Sequence, residues 1–134
     1  MVETREPNAV QIHILVVDDD PHARQDVMEG LHRRGYQVKG AEDGLQALHH
    51  LQRERFNVVI TDIQMPRMDG VALLREIRRK GYAPVVVQTT LLDPSLQDML
   101  CRAGAAGVLA KGEPIADLVR LLSQICRGSQ DISV

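Results

Sequence analysis

The sequence predicts an α/β fold, a doubly wound sheet of five parallel strands with five helices on its two faces. Two observations predict it. Short apolar runs, rich in β-branched residues, alternate five times with segments of helical periodicity. Most of these runs are continuous, which is typical of strands covered on both faces. Alternation of strand and helix at this spacing favours right-handed crossovers into one open sheet.

Five segments are predicted as strands. Four are continuous apolar runs bounded by Asp, Thr, Gly or Pro, and the second alternates apolar and polar residues, as an edge strand with one wetter face does. In chain order they are residues 14–17, 36–40, 58–60, 85–87 and 108–110.

Helices fill the intervals, where apolar residues recur three or four positions apart. Asp93 and Pro94 predict the start of the fourth helix, because aspartate caps a first turn and proline is favoured at the first helical position. The second and third helices each follow an Asp-Gly pair, and the fifth follows Glu113-Pro114. The glycines at which helices should end are Gly35, Gly81 and Gly104.

The chain of 134 residues is long enough for one compact domain. Both ends are polar and lack a periodic apolar pattern. We therefore expect a flexible N-terminal tail over residues 1–11, a domain over residues 12–128 and a C-terminal tail over residues 129–134.

Composition excludes several classes of function. Sixteen basic and eighteen acidic residues give a formal charge of −2, which provides no basic footprint for nucleic acid, and three aromatic residues are too few to stack bases. No apolar run approaches the ~20 residues that span a bilayer, and the N-terminus lacks the layout of a signal peptide. We expect a cytoplasmic protein that binds neither nucleic acid nor membrane directly.

Polar residues with metal and phosphate chemistry follow four of the predicted strands. Ligands of an open parallel sheet bind beyond these carboxyl ends. Clustered carboxylates normally need a cation, Mg²⁺ accepts both carboxylate and phosphate oxygens, and lysine suits a phosphoryl oxygen. Each residue alone could cap a helix or lie on the surface, but together they favour a metal and phosphate site. They are Asp18, Asp19 and Asp20, then Thr61 and Asp62, then Thr89 and Thr90, and finally Lys111.

Over residues 12–127 these features resemble the receiver domain of two-component response regulators. The most specific part is the Asp-x-x-Met-Pro-x-Met-Asp-Gly stretch at 62–70. The Asp-Asp-Asp-Pro stretch at 18–21, the segment at 84–90 that ends in Gln-Thr-Thr, and Lys111 complete the pattern. The resemblance implies a flavodoxin-like fold with strand order 2-1-3-4-5.

The resemblance also implies roles for individual residues. Asp62 would accept a phosphoryl group from a phosphohistidine, Lys111 would pair with that group, and Thr89 would be the switch hydroxyl that contacts it. Mg²⁺ would be the cofactor. Its ligands would be Asp19, Asp62 and the Gln64 backbone carbonyl, with Asp18 acting through water.

Two positions depart from the family pattern. Gly112 follows the lysine, where many receivers have proline, and Val108 stands where a switch aromatic is expected. The resemblance therefore implies the phosphorylation chemistry, but not a coupled threonine–aromatic switch in its usual form.

The function implied is that of a phosphorelay signalling receiver that catalyses only its own phosphorylation and dephosphorylation. Its partners would be a sensor histidine kinase or phosphotransfer protein and an unidentified downstream protein. The changed surface would be the face of the fourth helix, fifth strand and fifth helix, and phosphorylation could drive dimerisation. Since the chain ends after the fifth helix, we expect a receiver without an output domain in this chain, either a single-domain regulator that acts by protein contact or a piece of a longer protein.

Two alternatives belong to other classes. A phosphohydrolase or phosphotransferase with an aspartate nucleophile would need an acid–base aspartate two residues after the nucleophile, where Gln64 stands. A pseudo-receiver that only binds partners would not need the intact set of Asp18, Asp19, Asp62, Thr89 and Lys111.

Overall fold

Five parallel strands form one sheet in the order β2-β1-β3-β4-β5 in the computed structural model, which confirms the predicted fold. The structure describes residues 12–65, 67–90 and 92–132, with side chains as far as residue 126. The strands are β1 (His13–Val17), β2 (Gln37–Ala41), β3 (Val58–Asp62), β4 (Val85–Thr89) and β5 (Gly107–Ala110). The helices are α1 (Pro21–His32), α2 (Gly44–Arg53), α3 (Gly70–Lys80), α4 (Pro94–Arg102) and α5 (Ile115–Ile132).

The sheet is buried on both faces, which explains why its strands are continuous apolar runs. Alternate residues of a strand point to opposite faces. In β1, Leu15 and Val17 belong to one buried cluster, whereas Ile14 and Val16 belong to the other. Each central strand therefore needs apolar residues at successive positions.

Helices α2, α3 and α4 cover the first of these faces, and α1 and α5 cover the second. Leu73, Leu74 and Ile77 of α3 are fully buried against the first face. Leu118 and Leu122 of α5 are buried against the second, together with Leu31 of α1. Full burial of each such side chain contributes about 1.5–3 kcal/mol.

Aspartate caps start four of the five helices. Each Oδ1 accepts a hydrogen bond from a backbone N–H of the first turn, at 2.8–3.0 Å. Such a cap contributes about 1 kcal/mol. The capping residues are Asp20, Asp43, Asp69 and Asp93. At the end of α3, Gly81 adopts φ +69°, as a C-terminal glycine should.

The predicted C-terminal boundary differs from the structure. The sequence predicts a tail over residues 129–134, but α5 continues to Ile132. No proline follows Pro114, and a glycine inside a helix, such as Gly128, costs only about 1 kcal/mol, so the local sequence does not stop the helix. The predicted N-terminal tail, residues 1–11, lies outside the described residues. Within the described part of the chain, no helix is long and apolar enough to cross a membrane.

Candidate functional site

Asp18 and Asp62 lie side by side at the carboxyl edge of the sheet. Val17 of β1 pairs with Thr61 of β3, so the next residues of the two strands are neighbours. Strand alternation places both on the face covered by α1 and α5. The prediction that the strand ends bring these carboxylates together is confirmed.

Lys111, just beyond β5, bridges the two carboxylates. Its Nζ lies 2.7 Å from Asp18 Oδ2 and 2.9 Å from Asp62 Oδ2. The lysine side chain is 21% exposed, and the two aspartates are more buried still. Burial lowers the pKa of the Lys111 ammonium, but its hydrogen bonds to Asp18 and Asp62 outweigh burial, and the net shift is upward. The lysine therefore carries its charge at neutral pH.

Asp19 completes a cluster of three carboxylates. One oxygen each of Asp18, Asp19 and Asp62 lies within 4.8 Å of the others. Asp18 Oδ1 accepts the Asp20 backbone N–H at 3.0 Å, and Asp62 Oδ1 accepts the Ile63 N–H at 2.6 Å. The Asp19 carboxylate is exposed to solvent. A set of hard carboxylate oxygens at this spacing fits a small divalent cation such as Mg²⁺.

The three carboxylates line a cleft of about 840 Å³ at the edge of the sheet. Gln64 and Thr90 line the cleft together with Asp18, Asp62 and Lys111. Thr89, by contrast, is the last residue of β4 and is buried, and its carbonyl accepts the Lys111 backbone N–H at 2.8 Å. The Thr89 carbonyl therefore contacts the backbone of Lys111, and Thr90 belongs to the lining of the cleft.

Gly70 allows the loop after Asp62 to fold back onto its own strand. The Gly70 N–H donates to the Ile63 carbonyl at 2.6 Å. A Cβ atom at Gly70 would lie 2.1 Å from the Asp62 carbonyl oxygen, which no real side chain tolerates. The Asp-Gly pair thus caps α3 and also shapes the backbone beside Asp62.

Two arginines that the sequence analysis did not single out hold the loops of the site. Arg67 donates through Nε to Asp43 Oδ2 at 2.8 Å, and its Nη2 donates to the same oxygen. The Gln46 N–H lowers the pKa of the buried Asp43 carboxyl; burial opposes the shift, and Arg67 adds to it. Arg24 Nη1 donates to the Asp18 carbonyl at 2.7 Å. Neither contact has a sequence signal, because each arginine occupies an ordinary polar position.

The two departures from the family pattern have a clear local structure. Gly112 adopts φ +91°, a conformation that proline, with φ fixed near −65°, cannot adopt. Val108 is half-buried and packs on the cluster under α2, α3 and α4. The turn after Lys111 therefore has a positive φ, which glycine adopts readily and proline cannot.

Comparison with known proteins identifies the family. The family profile described as "Response regulator receiver domain" matches residues 14–123. The transcriptional regulatory protein PdtaR of Mycobacterium tuberculosis is 36% identical over 112 residues, covering 83% of this chain and 55% of that protein. The chain thus spans about half the length of this curated relative. A gliding motility regulatory protein of Myxococcus xanthus is 33% identical over 113 residues, 82% of this chain and 14% of that protein.

Solved structures of response regulators are also similar to this chain. The chemotaxis protein CheY4 of Vibrio cholerae has a TM-score of 0.80 and 32% identity, covering 85% of this chain and 98% of that one. The receiver domain of the Francisella response regulator 1452 has a TM-score of 0.84 at 24% identity, covering 89% of this chain and 99% of that one, which supports the fold alone.

Proposed function

Since the chain belongs to the response regulator receiver domain family, whose role is phosphorelay signalling, we propose that Asp62 is its phospho-acceptor. The observation that carries the proposal is the Lys111 ammonium, 2.7 Å from Asp18 and 2.9 Å from Asp62 at the mouth of an open cleft. A carboxylate beside a fixed cation can take a phosphoryl group whose charge that cation then balances.

The transfer step follows from these positions. An Asp62 carboxylate oxygen attacks the phosphorus of a phosphohistidine, the new O–P bond forms, and the P–N bond breaks. The electron pair of that bond leaves with the imidazole, which takes up a proton. The Ile63 N–H at 2.6 Å holds the other oxygen of the carboxylate and limits its rotation. Lys111 stabilises the negative charge on the transferring group.

We propose Mg²⁺ as the cofactor, held by Asp19 and Asp62, by the Gln64 backbone carbonyl, and by Asp18 through water. The exposed Asp19 carboxylate and the position of Gln64 in the lining of the cleft support this set. When bound, the ion neutralises phosphoryl oxygens during transfer.

The signal would leave through the surface formed by α4, β5 and α5. Thr89 and Lys111 are the proposed links, because the Lys111 N–H bonds the Thr89 carbonyl where β4 and β5 end. We propose that the Thr89 hydroxyl moves to the phosphoryl group, without the aromatic partner that Val108 replaces. Leu92 and Met99, two exposed apolar side chains, supply contact area at α4.

The proposed partners are a sensor histidine kinase or phosphotransfer protein upstream and another protein downstream, with dimerisation on phosphorylation as one outcome. A cytoplasmic location stays a prediction. We propose a receiver and not a phosphohydrolase, since Gln64 occupies the position where that class needs an acid–base carboxylate.

Intact-mass analysis with a small phosphodonor tests the proposal. With Mg²⁺ the wild-type protein should gain about 80 Da, the mass of one phosphoryl group. Asp62→Asn should gain nothing. Asp20→Asn is the matched control, because it removes a carboxylate from the same cleft yet keeps a residue that caps α1. Labelling of Asp62→Asn, or equal labelling of wild type in a chelator, would contradict the assignment.

A further inference from the structure

Arg24 makes two hydrogen bonds to the loop between β1 and α1, which carries Asp19. The Arg24 backbone N–H donates to the Asp20 carbonyl at 2.9 Å, the first hydrogen bond of α1. Its side chain reaches back and donates through Nη1 to the Asp18 carbonyl at 2.7 Å. Two points of the loop, on either side of Asp19, are thereby fixed to one residue of the helix.

The side-chain contact lies where the sheet ladder stops. The Asp18 N–H donates to the Ala41 carbonyl at 3.1 Å, the last bond between the β1 segment and β2. The Asp18 carbonyl, on the same residue, accepts from Arg24. The guanidinium therefore bonds the carbonyl of the peptide that joins Asp18 to Asp19.

Gly40 of β2 leaves room for this arginine. A Cβ atom at Gly40 would lie 3.2 Å from Arg24 Cδ and 2.9 Å from Met28 Sδ. The stem of Arg24 therefore lies over β2 at a position that carries no side chain. Arg24 thus makes the hydrogen bond to the Asp18 carbonyl, and Gly40, distant in sequence, leaves space for the arginine side chain.

We propose that Arg24 is a positioning residue of the metal site. By holding the Asp18 carbonyl it fixes the Asp18–Asp19 peptide, and with it the spacing of two of the three clustered carboxylates. The inference rests on the proposed function, because it takes that cluster to be the Mg²⁺ site. Residues that orient metal ligands without touching the metal typically affect affinity by about 10–100-fold.

The direction of the change in Mg²⁺ affinity distinguishes a positioning role of Arg24 from a purely electrostatic one. Arg24 is a cation close to an acidic cluster, so loss of its charge alone would strengthen Mg²⁺ binding. Loss of the Asp18 contact would instead loosen the ligands and weaken binding. Weaker Mg²⁺ binding by a variant that lacks the arginine charge would therefore show that Arg24 acts by positioning the metal ligands.

The experiment is a calorimetric Mg²⁺ titration of the full chain at a temperature where every variant is folded. Arg24→Met should bind Mg²⁺ about 10-fold more weakly or worse. Arg24→Lys, which can still donate to the Asp18 carbonyl, should recover part of the affinity. The matched control is Arg34→Met, which removes an arginine that bonds a backbone carbonyl, Gly30, at the other end of α1. It should bind like wild type.

A second variant covers the case in which Arg24→Met does not fold. Gly40→Val keeps the arginine but fills the space its stem occupies, and should also weaken Mg²⁺ binding about 10-fold. Unchanged or tighter binding in Arg24→Met, unchanged binding in Gly40→Val, or equal weakening in Arg34→Met overturns the role of Arg24. If wild type itself binds no Mg²⁺, the metal site fails and the inference with it. Normal wild-type binding with unaffected variants overturns only the inference.

Discussion

Replacing Lys111 by methionine should destabilise the domain by about 3 kcal/mol in the absence of divalent ions. The substitution keeps an unbranched apolar side chain and removes the ammonium that lies 2.7 Å and 2.9 Å from two carboxylates. A hydrogen bond to a charged group contributes about 1.5–3 kcal/mol, and breaking a buried ion pair costs about 3–5 kcal/mol. Because the lysine is partly exposed, we expect a cost at the lower end of the range for a buried ion pair.

The assay is thermal and urea unfolding, followed by far-UV circular dichroism in a chelator. For a domain of this size about 3 kcal/mol corresponds to a fall in Tm of roughly 10 °C. Lys39→Met is the matched control, because it breaks an ion pair with Glu54 whose partners are 41% and 33% exposed. Exposed pairs of this kind contribute about 0–1 kcal/mol.

The pH dependence has a definite sign. The folded-state pKa of Lys111 is raised, so its contribution is complete below the unfolded value of about 10.4 and is lost as pH rises through the higher folded value. The difference in unfolding free energy between wild type and Lys111→Met should therefore stay constant from neutrality to about pH 10 and shrink above it.

Mg²⁺ should stabilise Lys111→Met more than it stabilises wild type. Without the ammonium the three carboxylates repel one another more strongly, and a divalent ion then relieves more repulsion. A loss of stability in chelator no larger than that of Lys39→Met would refute the reasoning, since the bridge would then contribute no more than a surface pair. A Mg²⁺ response smaller than that of wild type would also refute it.

Two further predictions concern the neighbouring carboxylates. Asp19→Asn should melt higher than wild type in chelator, because it removes one repelling charge, and it should lose most of the about 1.4 kcal/mol that Mg²⁺ at ~10 times its dissociation constant gives wild type. Paired melts check this, and a lower Tm in chelator contradicts it. Asp43→Asn keeps the α2 cap but loses the charge that binds Arg67, and should cost about 1–2 kcal/mol at neutral pH. The Asp43 pKa is lowered, so this stability is present above the unfolded value of about 3.9 and is lost as pH falls through the folded value. The variant should therefore lose less stability than wild type on acidification, and equal losses would contradict the assignment.

The strands and the polar residues at their carboxyl ends could be predicted from periodicity, whereas the strand order that makes β1 and β3 neighbours was implied by the family resemblance. Apolar runs identify the strands, and alternation along β1 and β3 then carries Asp18 and Asp62 to one face at one edge. Lys111 follows β5 by the same rule. No knowledge of loop conformation is needed for these three residues, since parallel strands end together.

The contacts that hold the loops could not be predicted, because they depend on backbone paths without a period. Arg24 reaches a carbonyl six residues earlier, and Arg67 reaches a cap 24 residues earlier. Strand alternation also separates Thr89 from Thr90, and only the structure reveals that Thr90 lines the cleft while Thr89 is buried. The end of α5 is not predictable from the sequence for a related reason, since no residue after Cys126 strongly stops a helix.

Charge balance connects the metal, the lysine and the signal. Three clustered carboxylates and the ammonium that bridges two of them carry a combined charge of −2, which is the charge that one divalent cation neutralises. On the proposed function, a phosphoryl group on Asp62 would replace the carboxylate charge with a group of about −2, and the site would become more negative again. Lys111 already bonds the Asp62 carboxylate, and a shift of its ammonium from Asp18 toward a phosphoryl group there would act on the end of β5, where the Lys111 N–H is bonded to the Thr89 carbonyl. On the proposed function, the same ammonium that stabilises the unphosphorylated domain therefore connects the phosphorylation site to the surface of α4, β5 and α5.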